Sequence, residues 1–237
     1  MEHHLAVTPN TDEAFLREVD EELRRDQLAS VWTRYGRWLI AAIVIALAGF
    51  GAAIYWQYHQ EQVAGEEGEK LQKAYDDLVA QNVTAAKAPL GQLAASKIAG
   101  YRAMARFTQA DLLLQNKDLK GAAAKFAEIA NDASIGQPLR DLALIRQTSA
   151  EFDTLKPDVV ISRLRLLAAK GSPWLGSAGE LVGAAYIKMN KPDLAAALFH
   201  QMADDETVPE SIRQRAVKIA ETMSVGPVSP VEEKKAQ

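Results

Sequence analysis

The stretch that decides the fold is residues 183–203, which read GAAYIKMNKPDLAAALFHQMA. It combines a helical segment, a short polar turn and an alanine-rich helix in which Phe199 follows the small Ala195 by four residues. The small side chains of Gly183 and Ala195 allow two antiparallel helices to approach closely, whereas Tyr186 and Phe199 are large enough to fill the space towards neighbouring hairpins. The stretch therefore predicts a helical hairpin that packs against others of its kind.

Two earlier segments carry the same pattern. Residues 111–130 (DLLLQNKDLKGAAAKFAEIA) repeat the helix, the turn and the alanine-rich helix, and residues 154–168 (TLKPDVVISRLRLLA) share the turn KPD with residues 191–193. Aligning Pro157 with Pro192 gives an offset of 35 residues, close to the ~34-residue period of tetratricopeptide repeats. Three degenerate hairpins are expected over residues 96–203. The residues predicted to pack them are Ala110, Leu113, Ala122, Phe126, Leu164, Gly183, Tyr186, Ala195 and Phe199.

The segments around the repeats complete an all-α prediction. Residues 57–81 are expected to be helical, residues 82–91 (NVTAAKAPLG) to form a loop, and residues 209–223 to form a final capping helix. Residues 224–237 (SVGPVSPVEEKKAQ) are rich in proline and charge, which predicts a disordered tail. No segment shows the alternating pattern of a strand.

An uninterrupted apolar run lies upstream of the repeats, Trp38–Trp56 (WLIAAIVIALAGFGAAIYW). It contains no charge and no proline, and as a helix it spans about 29 Å, close to the ~30 Å hydrocarbon core of a bilayer. Tryptophan at both ends is typical of the membrane–water interface. The run predicts a single transmembrane helix. A cleaved signal peptide is the alternative, because the small residues Gly49, Gly51, Ala52 and Ala53 suit a processing site, although the 37 residues before the run are long for such a leader.

Basic residues flank this run unevenly. The arginines before it outnumber the lysines that follow it closely: Arg24, Arg25, Arg34 and Arg37 against Lys70 and Lys73. Because basic residues are retained in the cytoplasm, the bias predicts residues 1–37 as a cytoplasmic tail and the C-terminal domain on the outer side of the membrane.

An amphipathic helix is predicted within the N-terminal tail. Asn10 and Glu13 have the spacing of a capping box, and apolar residues then recur at helical spacing from Phe15 to Tyr35. The helix either lies on the inner leaflet or docks on a partner. If it docks, Phe15 and Trp32 are the candidate contacts. Trp174, which follows Gly171-Ser172-Pro173 between two hairpins, is expected to pack between repeats, with a partner contact as the alternative.

Composition excludes several classes of function. The chain has no cysteine, which rules out thiol catalysis and cysteine metal sites. Its net charge of −4 supplies no basic field for nucleic acid. His59 and His200 have no acidic residue at ligand spacing, His3 and His4 lack a partner cluster, and motifs for phosphate binding or nucleophilic catalysis are absent. No enzyme activity, cofactor, metal or small-molecule substrate is expected.

The arrangement resembles the YfgM-like proteins. The resemblance rests on FLREVDEELRRDQLASVWTRYGRWLI (15–40) leading into the anchor and WQYHQEQ, and on PWLGSAGELVGAAYIKMNKPDLAAALF (173–199). The first of these looks like the alphaproteobacterial branch. Thr148 and Glu151 stand where Gly183 and Tyr186 stand later, so the repeats are not uniform. The resemblance implies a single-pass inner-membrane protein, ancillary to the Sec translocon, whose outer domain contacts the translocon and periplasmic chaperones.

The expected organisation has four parts: a cytoplasmic tail (1–37), a transmembrane helix (38–56), a periplasmic tetratricopeptide-like domain (57–223) and a disordered tail (224–237). The favoured function is a non-enzymatic scaffold beside the translocon, which assists emerging client proteins. An adaptor of envelope or division machinery is one alternative. An accessory subunit of another inner-membrane complex, with the active site in a partner chain, is the other.

Overall fold

The computed structural model describes residues 11–224, and for 11–18 and 20–31 it describes the backbone alone. The described residues form helices and connecting turns, without a strand. The helices are α1 (Thr11–Val79), α2 (Val83–Leu93), α3 (Ala99–Gln115), α4 (Leu119–Ala130), α5 (Gln137–Glu151), α6 (Pro157–Leu164), α7 (Leu175–Lys188), α8 (Pro192–Asp204) and α9 (Glu210–Ser224). The all-α prediction is confirmed.

The chain divides into two compact units, one ending at Val63 and one beginning at Ala64. The predicted domain boundary at residue 57 lies somewhat before this division. Within the first unit, α1 carries the apolar run with its large side chains exposed on every side of the helix, and Trp38 and Trp56 are 68% and 65% exposed. Among the described residues, α1 is the one helix that is long and apolar enough to cross a membrane. Its most apolar 18-residue segment has a mean hydropathy of 2.2, and none of that segment is buried.

The second unit is a row of helical hairpins. Hairpin 1 joins residues 64–79 of α1 to α2, hairpin 2 is α3–α4, hairpin 3 is α5–α6 and hairpin 4 is α7–α8, followed by α9. Successive hairpins share apolar clusters, because each helix pair buries only one face by itself. The helix predicted at 209–223 is α9. The predicted tail, apart from Ser224, lies outside the described residues.

Residues 82–91 form most of α2, so the predicted loop is wrong. Val83, Thr84 and Pro89 favoured a loop because proline removes a helical hydrogen bond and β-branched residues lower helix propensity. Tertiary packing outweighs that local cost, since Ala86, Leu90 and Leu93 are spaced by about one turn and are fully buried. The Asn82 side chain also accepts a hydrogen bond from the Ala85 N–H at 3.3 Å and caps the helix start.

Three hairpins turn in the same way. Gln81, Lys117 and Asn190 have φ values of 60°, 62° and 55°, and each lies in the short turn between the two helices of its hairpin. The left-handed residue lies two positions after the last residue of the first helix and helps to reverse the chain. Hairpin 3 departs from this pattern, because α5 ends at Glu151 and a longer turn leads to Pro157.

Hairpins 2 and 4 and the helices after them share one register. Leu119 begins α4 and Pro192 begins α8, and the bounds of α5 recur 73 residues later as those of α9. The same offset relates the turn residues Lys117 and Asn190. Helices α3–α5 are therefore called segment A and helices α7–α9 segment B, and residues 73 apart in the two segments are called equivalent.

Candidate protein-interaction surfaces

The core of each hairpin is built from three recurring positions, all buried. A small or short residue on the first helix occupies the first position: Ala74, Ala110, Thr148 and Gly183. Its neighbours on the second helix are Ala86, Ala122, Val160 and Ala195, and the large residue one turn later is Leu90, Phe126, Leu164 or Phe199. The residues predicted for these positions in hairpins 2 to 4 lie here. Hairpin 1, which was not predicted, uses them as well.

The closest crossing lies in hairpin 4. A Cβ atom added to Gly183 would lie 2.6 Å from Cζ of Phe199, and one added to Gly179 would lie 2.6 Å from Sδ of Met202. Both distances are shorter than carbon atoms tolerate, so these glycines let α7 and α8 approach more closely than alanine would. In hairpin 2 the equivalent pair is Ala110 with Phe126, and that pair accommodates the methyl group.

Leu113 and Tyr186 complete the set of predicted packing residues. Both are partly buried, Leu113 beside the cluster around Phe126 and Tyr186 beside the clusters on either side of hairpin 4. Each also lines a surface groove between the second helices of successive hairpins. These two side chains therefore contact the core on one side and form part of a groove wall on the other.

The N-terminal groove lies between α2 and α4 over α3, and has a volume of about 390 Å³. Apolar Val83, Leu112 and Leu113 line it, together with Lys87 and Lys125. Lys125 Nζ is 2.8 Å from Oε1 of Glu128, so its charge is paired within the hairpin.

The C-terminal groove occupies the equivalent place between α6 and α8 over α7, and has a volume of about 220 Å³. Its walls include Ile161, Val182, Tyr186 and Leu198. Val182, Tyr186 and Leu198 are equivalent to Gln109, Leu113 and Lys125 of the N-terminal groove. The C-terminal groove is consequently more apolar at two of three equivalent positions.

A third surface is formed by the first helices of the hairpins. Ion pairs with a separation of 35 residues link neighbouring hairpins across it: Asp111–Arg146, Asp153–Lys188 and Glu180–Arg215. Lys188 Nζ is 3.1 Å from Asp153 Oδ1 and also lies 4.2 Å from the centre of the Phe152 ring. This surface is polar, and its charges are largely paired with one another.

The end of hairpin 2 is held by a partly buried arginine–aspartate contact. Arg102 Nε donates to Asp132 Oδ2 at 2.9 Å, and Arg106 Nη1 lies 3.3 Å from the same oxygen. The Arg102 hydrogen bond, assisted by the Ser134 hydroxyl, holds the pKa of the Asp132 carboxyl far below its ordinary value of 3.8. At the end of hairpin 4, Thr207 lowers the pKa of the equivalent Asp205.

The aromatic residues proposed as partner contacts lie in different environments. Trp174 precedes α7, is partly buried and packs against the cluster around Leu164 and Val182. Trp32 is 59% exposed on α1. Phe15 lies on the part of α1 whose side chains are outside the described residues. The structure does not bring the three together in one described site.

No group of three or more metal-ligating side chains occurs in the part of the chain that the structure describes. His3 and His4 lie outside that part. No pattern in the sequence pointed to Arg165 and Gln201 of the C-terminal groove or to the pairing of Arg102 with Asp132. A comparison of residues 73 positions apart would have pointed to Arg102, because the equivalent residue, Leu175, is apolar.

Comparison with known proteins adds a family. The sequence model of the tetratricopeptide repeat-like domain matches residues 30–220. An ancillary SecYEG translocon subunit of Haemophilus influenzae is 27% identical over 184 residues, which are 76% of this chain and 85% of that protein. No solved structure matches the chain significantly. The family match spans most of the chain and includes all four hairpins, so the chain belongs to the tetratricopeptide repeat-like domain family.

Proposed function

We propose that the chain is a non-enzymatic adaptor, anchored in the inner membrane by Trp38–Trp56 and ancillary to the Sec translocon. One observation carries the proposal: the similarity to a protein named an ancillary translocon subunit extends over 85% of that protein's length. The hairpin row supports it, because helical repeats bind proteins through grooves and need no catalytic group. The exposed apolar surface of α1 is what a helix surrounded by lipid requires.

The finer parts of the proposal are topology and partners. The arginine bias before the anchor supports a cytoplasmic N-terminus and a periplasmic hairpin domain. In that position the grooves would face emerging secreted proteins and periplasmic chaperones. Placement in the alphaproteobacterial branch stays a prediction.

Co-purification tests the association. The full chain, tagged at its C-terminus, is isolated from gently solubilised membranes, and mass spectrometry identifies what accompanies it. We expect translocon subunits in stoichiometric amounts. A division protein or a respiratory enzyme in their place would select one of the alternative adaptor roles and contradict this one.

An exchange of the anchor locates the contact. Small residues at 48–49 and 52–53 allow close helix approach in a membrane, and no side chain that the structure describes lies within 4 Å of a Cβ at Gly49. Replacing residues 11–56 with an unrelated single-pass anchor is expected to abolish co-purification, and Gly49→Leu with Ala53→Leu to weaken it. Undiminished co-purification after the exchange would place the contact on the hairpin domain alone.

Reporter fusions test the topology. A reporter active only outside the cytoplasm is expected to work after Gln237 and to fail before Asn10. The reverse result would overturn the orientation, and an N-terminus found by sequencing near Ala52 would show a cleaved leader instead.

A further inference from the structure

Two arginines lie just before the apolar run, and the chain does not balance their charge. Arg34 and Arg37 lie three positions apart on α1, and both are exposed. No aspartate or glutamate occurs in the sequence between Asp26 and Glu61, and neither guanidinium has an ion-pair partner among the described residues. The charge of both arginines is therefore available to an anion from outside the chain.

These arginines share one face of α1 with Trp38. Residues three and four positions apart are neighbours on a helix surface, so Arg34 is adjacent to both Arg37 and Trp38. The Arg34 guanidinium lies 5.8 Å from the centre of the Tyr35 ring, which is a cation–π distance. Trp38 is 68% exposed, and its indole carries an N–H donor beside an apolar ring. The face therefore presents two guanidinium groups and one indole to the same region outside the helix.

One turn further along the run, the same face is apolar. Ala41 follows Arg37 by four positions and Trp38 by three, so it lies below them on the helix. Val44 and Ile45 continue the face and are 58% and 71% exposed. A phospholipid has the same division, because its phosphate lies at the membrane surface and its acyl chains extend into the hydrocarbon core.

The neighbouring face of α1 has a different arrangement. Gly36 is buried because the Trp32 ring covers it, and a Cβ atom added to Gly36 would lie 3.2 Å from Cδ2 of Trp32. That face is therefore occupied by an indole of the chain itself. The far end of the apolar run differs as well, since the first charged residue after Trp56 is the acidic Glu61.

The unbalanced charge favours an anionic headgroup over a zwitterionic one. In phosphatidylcholine the phosphate is accompanied by an ammonium group, which two adjacent guanidinium groups would repel. In phosphatidylglycerol the phosphate is the only charged group, so both arginines can donate hydrogen bonds to its oxygens.

We propose that the face of α1 formed by Arg34, Arg37 and Trp38 binds the headgroup phosphate of an anionic phospholipid. The two guanidinium groups donate to the phosphate oxygens, and the acyl chains lie along the apolar face beyond them. The inference rests on the anchoring part of the proposed function, and in the proposed topology the lipid belongs to the cytoplasmic leaflet. Lipid binding requires no translocon, so it is measured separately from co-purification.

The test titrates phosphatidylglycerol into the purified full chain in detergent micelles and measures bound lipid by native mass spectrometry. We expect saturable binding, and an affinity for phosphatidylcholine that is at least about tenfold lower. Arg34→Gln combined with Arg37→Gln should weaken phosphatidylglycerol binding about 30-fold, because each arginine near a lipid surface contributes about fivefold. Lysine at both positions should weaken it about threefold, because lysine keeps the charge but loses the paired donors.

Two matched controls separate a site from general attraction between charges. Arg24→Gln combined with Arg25→Gln removes the same charge from the same helix, about 15 Å further from the apolar run, and should change affinity less than about twofold. Trp38→Leu should weaken binding about threefold, because one donor is lost. Trp32→Leu makes the same change on the neighbouring face and should leave affinity unchanged. Circular dichroism is expected to show equal helicity in all variants.

Three results would overturn the proposal. Equal losses from the double variants at Arg24 and Arg25 and at Arg34 and Arg37 would show general charge attraction without a site. Equal affinity for phosphatidylglycerol and phosphatidylcholine would exclude recognition of the headgroup charge. Soluble glycerol phosphate that competes with the affinity of the lipid itself would assign the arginines to a free phosphate. In each case a co-purified translocon would leave the adaptor function standing, whereas absence of the chain from the membrane fraction would contradict the anchoring itself.

Discussion

Segments A and B share most of their helix bounds but are closed by different chemistry. In segment A, Arg102 and Arg106 bind Asp132. In segment B, Leu175 and Gly179 occupy the positions of the two arginines, and Asp205 occupies the position of Asp132. In segment B the glycines of α7 admit Met202 and Phe199 to close contact instead.

The exchange also runs in the opposite direction. The exposed pair Glu180–Arg215 of segment B is equivalent to Phe107 and Leu142 of segment A, which both belong to the apolar cluster around Phe126. A pair of equivalent positions can therefore hold either an ion pair or an apolar contact on the same backbone, provided that both residues of the pair change together.

The largest effect is expected from Phe126→Ala. The Phe126 side chain is fully buried, lies 5.9 Å from the Phe107 ring and carries the Arg146 guanidinium at 4.6 Å. Its removal leaves a cavity and should lower the free energy of unfolding by about 3–5 kcal/mol. Urea denaturation of the full chain in detergent micelles, followed by circular dichroism, measures the change. A loss much smaller than that of Phe199→Ala would mean that segment A depends on its polar contacts more than on its core.

The glycine crossing gives the next effect. Gly183→Ala directs a methyl group at the rigid Phe199 ring and should cost about 1–3 kcal/mol through overpacking. The opposite change at the equivalent position, Ala110→Gly, should cost only about 0.5–1 kcal/mol, from added backbone freedom. Equal costs measured by the same denaturation would show that the two crossings have the same separation.

The Arg102–Asp132 contact predicts a dependence on pH. The pKa of Asp132 is lowered in the folded protein, so its contribution is complete above the ordinary value of 3.8 and is lost as the pH falls below that value. Asp132→Asn should cost about 1–2 kcal/mol at pH 7 and reduce the fall in stability between pH 4 and pH 2.

Asp205→Asn provides the control for this pH effect. Asparagine retains the turn acceptor at both sites, but Asp205 has no arginine partner to lose. Its substitution should therefore change the pH profile less. A larger change at Asp205 would contradict the assignment of the pH effect to the arginine contact.

The smallest effect is expected at Glu180–Arg215. Arg215 is more than half exposed, and exposed ion pairs contribute little. A double-mutant cycle with Glu180→Ala and Arg215→Ala should give a coupling energy of about 0.5 kcal/mol that decreases as salt is added. A coupling energy above about 2 kcal/mol would contradict this expectation and show that the ion pair contributes substantially to the stability of segment B.

The fold was largely predictable from helical periodicity and from the small and large residues of hairpins 2 and 4. Hairpin 1 was missed because Pro89 and the β-branched start of α2 have the local composition of a loop, while the burial of Ala86 and Leu90 depends on contacts with other helices. An alignment of Ala74, Ala86 and Leu90 with the core positions of hairpin 2 would have revealed it.

The candidate surfaces were less predictable. An unsatisfied donor such as Gln201 depends on which polar atoms surround it in three dimensions, and no spacing in the sequence encodes that. The pairing of Arg102 with Asp132 likewise joins residues 30 positions apart, and only the closed hairpin brings them together. Trp174 lies between hairpins 3 and 4, and its partial burial depends on the packed cluster rather than on any local pattern in the sequence.

The shared register of segments A and B defines the increment by which this protein can change length. A chain in which Lys117 is joined directly to Lys191 would lose 73 residues. Lys117, with its left-handed conformation, would then lie two positions before the start of α8, as it now lies two positions before the start of α4. Ala110 would then face Phe199, a pairing of one small and one large residue already present in hairpin 2. Recombination at these turns would therefore add or remove two hairpins as a block, and natural variation in the size of the domain is expected to follow that block.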